Sequence, residues 1–260
     1  MRSRNNLLGL AAAALATVML AGCVSDSEPP ASASLQKPGE VGTADLRSVL
    51  LTNAEHPEGT QIAVTIPIWE AWARFFPGTG EPSGIVVYPR CVSYFSAIGG
   101  FESLEGWYQY GLRPNGALFV HFVAKAPRPQ ALTMIRMRVA GCPEGFQTIQ
   151  GWPPSATGGG EIVTSKLAFT ERKVSTLPEA DAFGITQSIT FHEPGNKLVQ
   201  TIRQAWQCTD GPCNSYDAFV LKDGLLVWVH EGGDEKLADQ MAKALHDRLG
   251  KSMMDGQPKS

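Results

Sequence analysis

Histidine, cysteine and acidic residues are the side chains of this sequence that could carry catalysis or bind a metal ion. The chain has no G-x-S-x-G motif, which would present a serine nucleophile, and no H-E-x-x-H helix, which would bind zinc. Pro194-Gly195 follows His192-Glu193, and Gly232-Gly233 follows His230-Glu231, so neither pair can continue into a zinc-binding helix. We therefore expect no catalytic residue, no metal site and no cofactor.

The five histidines are scattered along the chain without the spacing of a ligand set. His121 lies within the apolar segment Ala117–Ala124, and His230 ends another apolar segment beside Glu231. The simplest interpretation is that each histidine lies in the core or in a pocket, where its ring nitrogens have hydrogen-bond partners. The alternative is a ligand-binding or pH-sensing imidazole, because histidine titrates near neutral pH.

Cys23 stands at the end of a secretory signal. Arg2 and Arg4 precede the apolar run Leu7–Leu20, which is too short for an ordinary transmembrane helix. The run closes with Leu20-Ala21-Gly22-Cys23, which resembles a bacterial lipobox and implies cleavage before Cys23 and attachment of diacylglycerol to its thiol. Because stable anchoring needs two lipid signals, we predict a signal peptide over residues 1–22 and a lipid-anchored, extracytoplasmic protein at the cell membrane. An ordinary signal with an incidental cysteine is the alternative.

The other four cysteines, an even number in an exported chain, predict two disulfides. The turn sequence Thr-Asp-Gly-Pro separates Cys208 from Cys213, so we predict bonds Cys208–Cys213 and Cys91–Cys142. Loop-closure entropy gives about 2 kcal/mol for the first bond and about 4 kcal/mol for the second. A zinc site made of these thiolates and a redox-active ring at Cys208–Cys213 are weaker alternatives, because neither has C-x-x-C spacing.

Length and composition favour one turn-rich domain. The 260 residues are 43% hydrophobic, which allows a sizeable core, and the 27 Gly and 18 Pro favour short strands and turns. A net charge of −3 argues against nucleic acid as a partner. We predict a flexible tether over residues 23–43, a folded domain over 44–250 and a disordered tail over 251–260. Two halves joined at Gly151–Gly160 are the alternative.

Hydrophobic periodicity predicts an α+β fold with a mainly antiparallel sheet and flanking helices, stapled by disulfides. The predicted helices cover Pro67–Phe76, Arg128–Gly141 and Asp234–Leu249. The predicted strands cover Gln61–Ile66, Ala117–Ala124, Glu161–Lys173, Phe183–Phe191 and Lys197–Gln207. Ala218–His230 is predicted as a hairpin that turns at Lys222-Asp223-Gly224.

Aromatic side chains give the best indication of a binding surface. Phe101, Trp107, Tyr108 and Tyr110 form a cluster in the sequence, and core packing is its ordinary interpretation. If the cluster is partly exposed, Trp107, Tyr108 and Tyr110 could line a cleft for an apolar or glycan-like ligand. These three residues are the candidate ligand-binding residues.

Three sequence features together resemble the PknH-like extracellular sensor domains of actinobacterial kinases and lipoproteins. They are Leu46-Arg47-Ser48-Val49-Leu50-Leu51-Thr52 before His56-Pro57-Glu58-Gly59, Cys91 before Ala140-Gly141-Cys142-Pro143, and the hairpin Phe219–Val227 before a closing helix. The chain has His56 where the family usually has leucine. The resemblance implies an antiparallel sheet with flanking helices, two disulfides, a large cleft, and sensing or binding at the cell envelope without catalysis.

Three functions remain to be separated. A module that binds or senses an envelope ligand predicts a concave cleft with apolar walls. An accessory protein that docks another envelope protein predicts a flat, exposed apolar patch. An exported hydrolase predicts a His–acid pair that meets a serine or threonine hydroxyl in one pocket.

Overall fold

The computed structural model describes residues 45–75, 85–86, 94–150, 162–178, 181–193, 195–208 and 211–255. They form nine strands: β1 (Gln61–Pro67), β2 (Ile85–Val86), β3 (Gly106–Leu112), β4 (Leu118–Lys125), β5 (Glu144–Gln150), β6 (Ile162–Arg172), β7 (Ala182–Phe191), β8 (Cys213–Lys222) and β9 (Leu225–Gly232). The strands make one sheet in the order β1-β3-β4-β9-β8-β7-β6-β5-β2. Every neighbouring pair is antiparallel, which confirms the predicted fold class.

Among the described residues, four α-helices flank this sheet: α1 (Ile68–Phe75), α2 (Ala131–Ala140), α3 (Lys197–Ala205) and α4 (Glu235–Asp255). Short 3-10 turns occupy Asp45–Val49, Asn53–Glu55, Tyr94–Ile98 and Phe101–Ser103. The residues 45–56 that contain the first two turns are called the docking segment below. One continuous sheet contains strands from both sides of residues 151–161, and those residues lie outside the described chain.

The sheet separates two hydrophobic cores. On the α4 face, Val220, Val227 and Val229 pack with α4 and with four buried residues of the docking segment, Leu46, Val49, Leu50 and Leu51. On the α1–α3 face, Phe122, Phe219 and Trp228 belong to a second core with side chains of the other three helices. Because successive side chains of a strand point to opposite faces, consecutive residues of β9 belong to different cores.

Most predicted elements are present at their expected positions. The predicted hairpin is β8–β9, and its turn residues Asp223 and Gly224 have φ angles of 51° and 77°. Such a two-residue turn requires positive φ at both positions, which glycine adopts readily and aspartate tolerates. The Asp234 carboxylate accepts a hydrogen bond from the Leu237 backbone at 2.9 Å and so caps α4, which continues to Asp255. Strands β3 and β5 were not predicted.

The predicted strand Lys197–Gln207 is wrong, because these residues form helix α3 and a following turn. Val199 and Trp206 are both buried and lie seven residues apart, which is helical rather than strand spacing. The side chain of Asn196 accepts a hydrogen bond from the Val199 backbone, as a helix N-cap does. A short run of β-branched residues had concealed this periodicity.

One of the two predicted disulfides lies among the described residues. Cys208 and Cys213 are bonded, with their Cα atoms 5.2 Å apart, which confirms that prediction. The bond joins the turn after α3 to the first residue of β8. Cys142 is also disulfide-bonded, but Cys91 lies outside the described residues, so the Cys91–Cys142 bond stays a prediction. Cys23 lies outside them as well.

Candidate functional site

Two buried polar groups of residues lie back to back on the central strands, one on each face of the sheet. His230 and Glu231 are consecutive in β9, so their side chains point to opposite faces. On the α1–α3 face, His230 belongs to a cluster with Trp206, Ser215, Asp217 and Trp228, called the His230 cluster. On the α4 face, Glu231 belongs to a network with His56, Gln109, Arg113 and His121, called the Arg113 network.

Asp217 organises the His230 cluster. It lies directly opposite His230 in the β8–β9 ladder and is fully buried. Its Oδ1 atom accepts a hydrogen bond from Trp228 Nε1 at 2.8 Å and lies 2.9 Å from His230 Nδ1. The carboxylate therefore orients the imidazole, whose side chain keeps 11% of its surface exposed. Among the described residues, no hydrogen bond is made to the second ring nitrogen, Nε2.

Ser215 and Trp206 add hydrogen-bonding groups to this cluster. Ser215 lies opposite Gly232 in the ladder, and a Cβ atom added to Gly232 would be 2.9 Å from Trp206 Nε1. The absence of a side chain at Gly232 therefore lets the indole approach the sheet beside Ser215. Within the described part of the chain, neither Ser215 Oγ nor Trp206 Nε1 has a hydrogen-bond partner, although both are buried.

The three predicted ligand-binding residues lie on both faces of the sheet. Tyr108 and Tyr110 are on the α1–α3 face, with ring centroids 6.1 Å apart, whereas Trp107 contributes to the α4-face core. Tyr110 pairs with Val120, and Val120 pairs with His230, so the partly buried Tyr110 is in the same cross-strand row as the His230 cluster. Tyr108 is buried, and burial raises the pKa of its phenol, which stays neutral. The structure thus brings the two tyrosines together and separates Trp107 from them.

The Arg113 network is the second polar group. The Arg113 guanidinium donates to both carboxylate oxygens of Glu231, through Nε at 2.9 Å and through Nη2. His121 Nε2 lies 3.1 Å from Glu231 Oε1, and all three side chains are almost fully buried. A planar guanidinium matches a carboxylate in this two-point geometry, and the pair forms a charge-neutral centre inside the domain.

His56 connects this centre to the docking segment. Its Nδ1 atom is 2.9 Å from Arg113 Nη1, and its Nε2 atom is 3.2 Å from Gln109 Oε1. Gln109 Nε2 donates to the Leu51 carbonyl oxygen at 3.0 Å. The His56 ring also lies against His121, with centroids 5.5 Å apart and planes nearly parallel. Hydrogen bonds therefore run without interruption from Glu231 to the backbone of the docking segment.

Burial and neighbouring charges determine the protonation of the network. Burial lowers the pKa of His56 to about 4, aided by His121 and Arg113. Burial also lowers the pKa of His121, although Glu231 partly opposes it. For Glu231, burial raises the pKa, but hydrogen bonds from His121 and Arg113 outweigh it and hold the pKa below its usual value. At neutral pH the network contains one cation, one anion and two neutral imidazoles.

Within the described ranges, no three His, Cys, Asp or Glu side chains are placed to hold a metal ion. None of the described helices combines the length and the apolar character needed to cross a bilayer.

Fold comparison identifies a related architecture. The extracellular domain of PknH from Mycobacterium tuberculosis has a TM-score of 0.52 to this chain, and the match covers 81% of this chain and 97% of that domain. The two domains share a fold. Their sequences are 13% identical, so the likeness concerns the fold. No protein-family model matches the chain, and no curated protein sequence matches it. The fold that the sequence resemblance implied is thereby confirmed.

Most members of both polar groups were not predicted from the sequence. His121 and His230 were candidates individually, and Glu231 was noted only as the neighbour of His230, whereas Arg113 and Asp217 were not singled out. The usable signal was the end of β9, where two ionisable residues follow the apolar run Leu225–Val229 without leaving the strand. Two such residues on opposite faces of a central strand require a polar partner on each face.

Proposed function

We propose that this chain is a membrane-anchored cell-envelope lipoprotein whose extracytoplasmic domain binds or senses a ligand without catalysing a reaction. The fold likeness to an extracellular domain of a kinase supports a sensing role outside the cytoplasm. The signal sequence and Cys23 support export and lipid attachment. The ligand would occupy the α1–α3 face at the His230 cluster.

The observation that carries the ligand site is the unused hydrogen-bonding capacity of that cluster. A buried polar group without a partner costs about 1–3 kcal/mol, so folded proteins rarely keep one without a use. In the described chain, Ser215 Oγ and Trp206 Nε1 both lack partners and lie beside the oriented imidazole of His230. A bound ligand that supplies hydroxyl groups, which both donate and accept, would satisfy all three groups.

The chemistry of the cluster favours a hydroxylated, uncharged ligand such as a glycan. The indole N–H of Trp206 can only donate, and the Ser215 hydroxyl can donate and accept. The partly buried ring of Tyr110 offers an apolar surface on the same face, and the buried ring of Tyr108 packs beside it. Because Trp206 and Ser215 are buried, binding must displace the turn between α3 and Cys208. Trp107 remains a candidate only for a ligand contact on the α4 face.

Native mass spectrometry of the protein purified from its own envelope tests this site. We expect the wild type to retain a glycan-like mass. Trp206→Phe should lose that mass, because it keeps an aromatic ring but removes the indole N–H donor. Trp107→Phe on the α4 face is the matched control and should retain the ligand. Retention in Trp206→Phe together with loss in Trp107→Phe would place the ligand on the α4 face and refute the proposed site.

The lipid anchor has a separate test. Intact-mass analysis of the mature protein should show a chain that begins at Cys23 with diacylglycerol attached. Cys23→Ser should abolish the lipid mass and release the domain from membranes. A mature wild-type chain that begins elsewhere, or that carries no lipid, would refute the anchor and leave the ligand-site test unaffected.

The other candidate functions have less support. Asp217 and His230 form a His–acid pair, but Ser215 Oγ makes no hydrogen bond to that pair, so the hydroxyl contact of a nucleophilic triad is absent from the described residues. An accessory protein that docks another envelope protein predicts a flat, exposed apolar patch. Among described residues, the exposed large apolar side chains are Met137 and Phe146, one on a helix and one on a strand.

A further inference from the structure

The docking segment is held on the α4 face by two separate sets of polar contacts. Near the end of α4, Arg248 donates to the carbonyl oxygens of Ser48 and Leu50 and to the Glu55 carboxylate. These contacts are partly exposed. The second set is the buried relay from the Arg113 network through His56 and Gln109 to the Leu51 carbonyl. The segment adjoins residues 23–43, the predicted tether.

The buried relay works with only one protonation state of His56. An arginine side chain has five N–H donors and no acceptor, so the contact with Arg113 requires a lone pair on His56 Nδ1. The proton of the neutral ring is therefore on Nε2, from which it is donated to Gln109 Oε1. A proton added to Nδ1 would place an N–H against the guanidinium and break the relay.

The charges around the two imidazoles oppose a second cation. Arg113 supplies the positive charge of the network and Glu231 the negative charge. His230 acts on His121 from the opposite face of the sheet. Carboxylates of neighbouring elements are already engaged, since Glu235 and Asp239 of α4 contact Arg172, and Glu55 contacts Arg248. A proton on either ring therefore creates a buried excess of positive charge.

We propose that His56, Arg113, His121 and Glu231 form an acid-sensitive latch that docks residues 45–56 on the sheet at neutral pH and releases them when the imidazoles take up protons. The release frees the segment next to the tether and leaves the central strands paired. The latch requires neither the ligand nor the lipid anchor proposed above, so its test is independent of both.

Hydrogen exchange measured by mass spectrometry on the full-length protein in detergent tests the latch. Protection factors, corrected for intrinsic exchange, are compared at pH 7, 6, 5 and 4.5. We expect protection of peptides within residues 45–60 to fall as the pH decreases below 6.5, by up to about tenfold per pH unit for each imidazole. Peptides from β8 and β9 should remain better protected than residues 45–60 at every pH, because they are exposed only when the whole domain unfolds.

Histidine variants separate the latch from general acid sensitivity. The amide of His56→Gln can accept from Arg113 and donate to Gln109 without titrating, so the segment should stay protected at pH 5. His121→Gln should have a smaller effect in the same direction. His192→Gln removes an exposed histidine and should behave as the wild type.

Three results would overturn the proposal. One is equal protection of β8, β9 and residues 45–60 at every pH, because it indicates that the segment opens only when the whole domain unfolds. Another is unchanged pH dependence in both His56→Gln and His121→Gln. The third is wild-type protection of residues 45–60 that stays constant from pH 7 to 4.5, which would show that the two imidazoles do not control docking. If His56→Gln does not fold at pH 7, His121→Gln and the pH dependence of protection in the wild type still test the proposal.

Discussion

The Arg113 network and the His230 cluster occupy opposite faces of the same strands, and they differ in how completely their polar atoms are paired. Arg113, Glu231, His56 and Gln109 all have hydrogen-bond partners within the described chain. Within the Arg113 network, His121 Nδ1 is the exception among the described residues. In the His230 cluster, the Asp217 carboxylate accepts hydrogen bonds from Trp228 and His230. Ser215 Oγ and Trp206 Nε1 have no partner among the described residues.

This contrast separates a structural role from a binding role. A buried network with paired charges specifies one arrangement of the segments that it joins, here the docking segment and three strands. A cluster with unpaired donors is less stable than an apolar core of the same shape, and a ligand can recover that difference. Burial is similar on the two faces, so hydrogen-bond pairing distinguishes them.

The largest expected effect is the loss of the buried ion pair. Glu231→Gln leaves the Arg113 guanidinium buried without an anion, and we expect the free energy of unfolding to fall by about 3–5 kcal/mol. Asp217→Asn on the other face keeps an oxygen acceptor for Trp228 and His230 and should cost about 1–2 kcal/mol. Urea unfolding at pH 7 measures both values. Equal losses of unfolding free energy in the two variants would show that the pairing of polar atoms does not distinguish the two faces.

The pH dependence of stability should follow the Arg113 network. The pKa of His56 is about 4 in the folded chain and near 6.5 in the unfolded chain. Between these values the unfolded chain binds more protons, so stability is complete above pH 6.5 and is lost as the pH falls towards 4. The slope reaches at most about 1.4 kcal/mol per pH unit for one imidazole. Urea unfolding between pH 7 and 4 measures it, and a pH-independent midpoint would contradict this assignment.

A smaller effect is expected where Trp206 meets the sheet. In Gly232→Ala, the new Cβ would lie 2.9 Å from Trp206 Nε1, so the indole must move, at a cost of about 1–3 kcal/mol. The fluorescence emission of Trp206 should shift to longer wavelength as the ring becomes more exposed. Gly195→Ala is the control, because nothing lies within 4 Å of its added Cβ. A red shift equal to that of Gly195→Ala would refute this contact.

The smallest expected effect comes from the removal of two serine hydroxyls, which should change stability in opposite directions. Ser215→Ala removes a hydroxyl without a partner in the described chain, so its stability should be unchanged or raised by up to about 1 kcal/mol. Ser175→Ala removes a hydroxyl that donates to Asp239 Oδ2 at 2.6 Å, and it should cost about 1 kcal/mol or more. Thermal unfolding measures the stability of the two variants against that of the wild type. A destabilised Ser215→Ala would indicate a structural role for the His230 cluster.

The fold was largely predictable from the sequence because periodicity and turn chemistry are local. Asp223-Gly224, the N-cap of α4 and the apolar run of β4 each carry their own signal. Lys197–Ala205 was predicted as a strand because a short apolar segment fits a helix and a strand about equally well. β3 carries aromatic residues on both faces, so its alternation was concealed.

The two polar groups were not predictable from the sequence in the same way. The contact of His121 with Glu231 joins residues 110 positions apart, and that of Arg113 with Glu231 joins residues 118 positions apart. Such contacts depend on strand order and register, which periodicity alone does not give. The disulfide Cys208–Cys213 was predictable because its partners are five residues apart and a turn sequence separates them.

The contacts of Arg248 with the docking segment determine when the domain can be completed. The arginine lies 200 positions after Ser48, and the ribosome delivers a chain from its N-terminus. The first folded residues to emerge must therefore wait, with Leu46, Leu50 and Leu51 uncovered, until almost the whole chain has been made. During that interval the emerging chain exposes an apolar segment to which chaperones can bind. Assembly of this domain is thus a late event in its synthesis, because its two ends close the domain together.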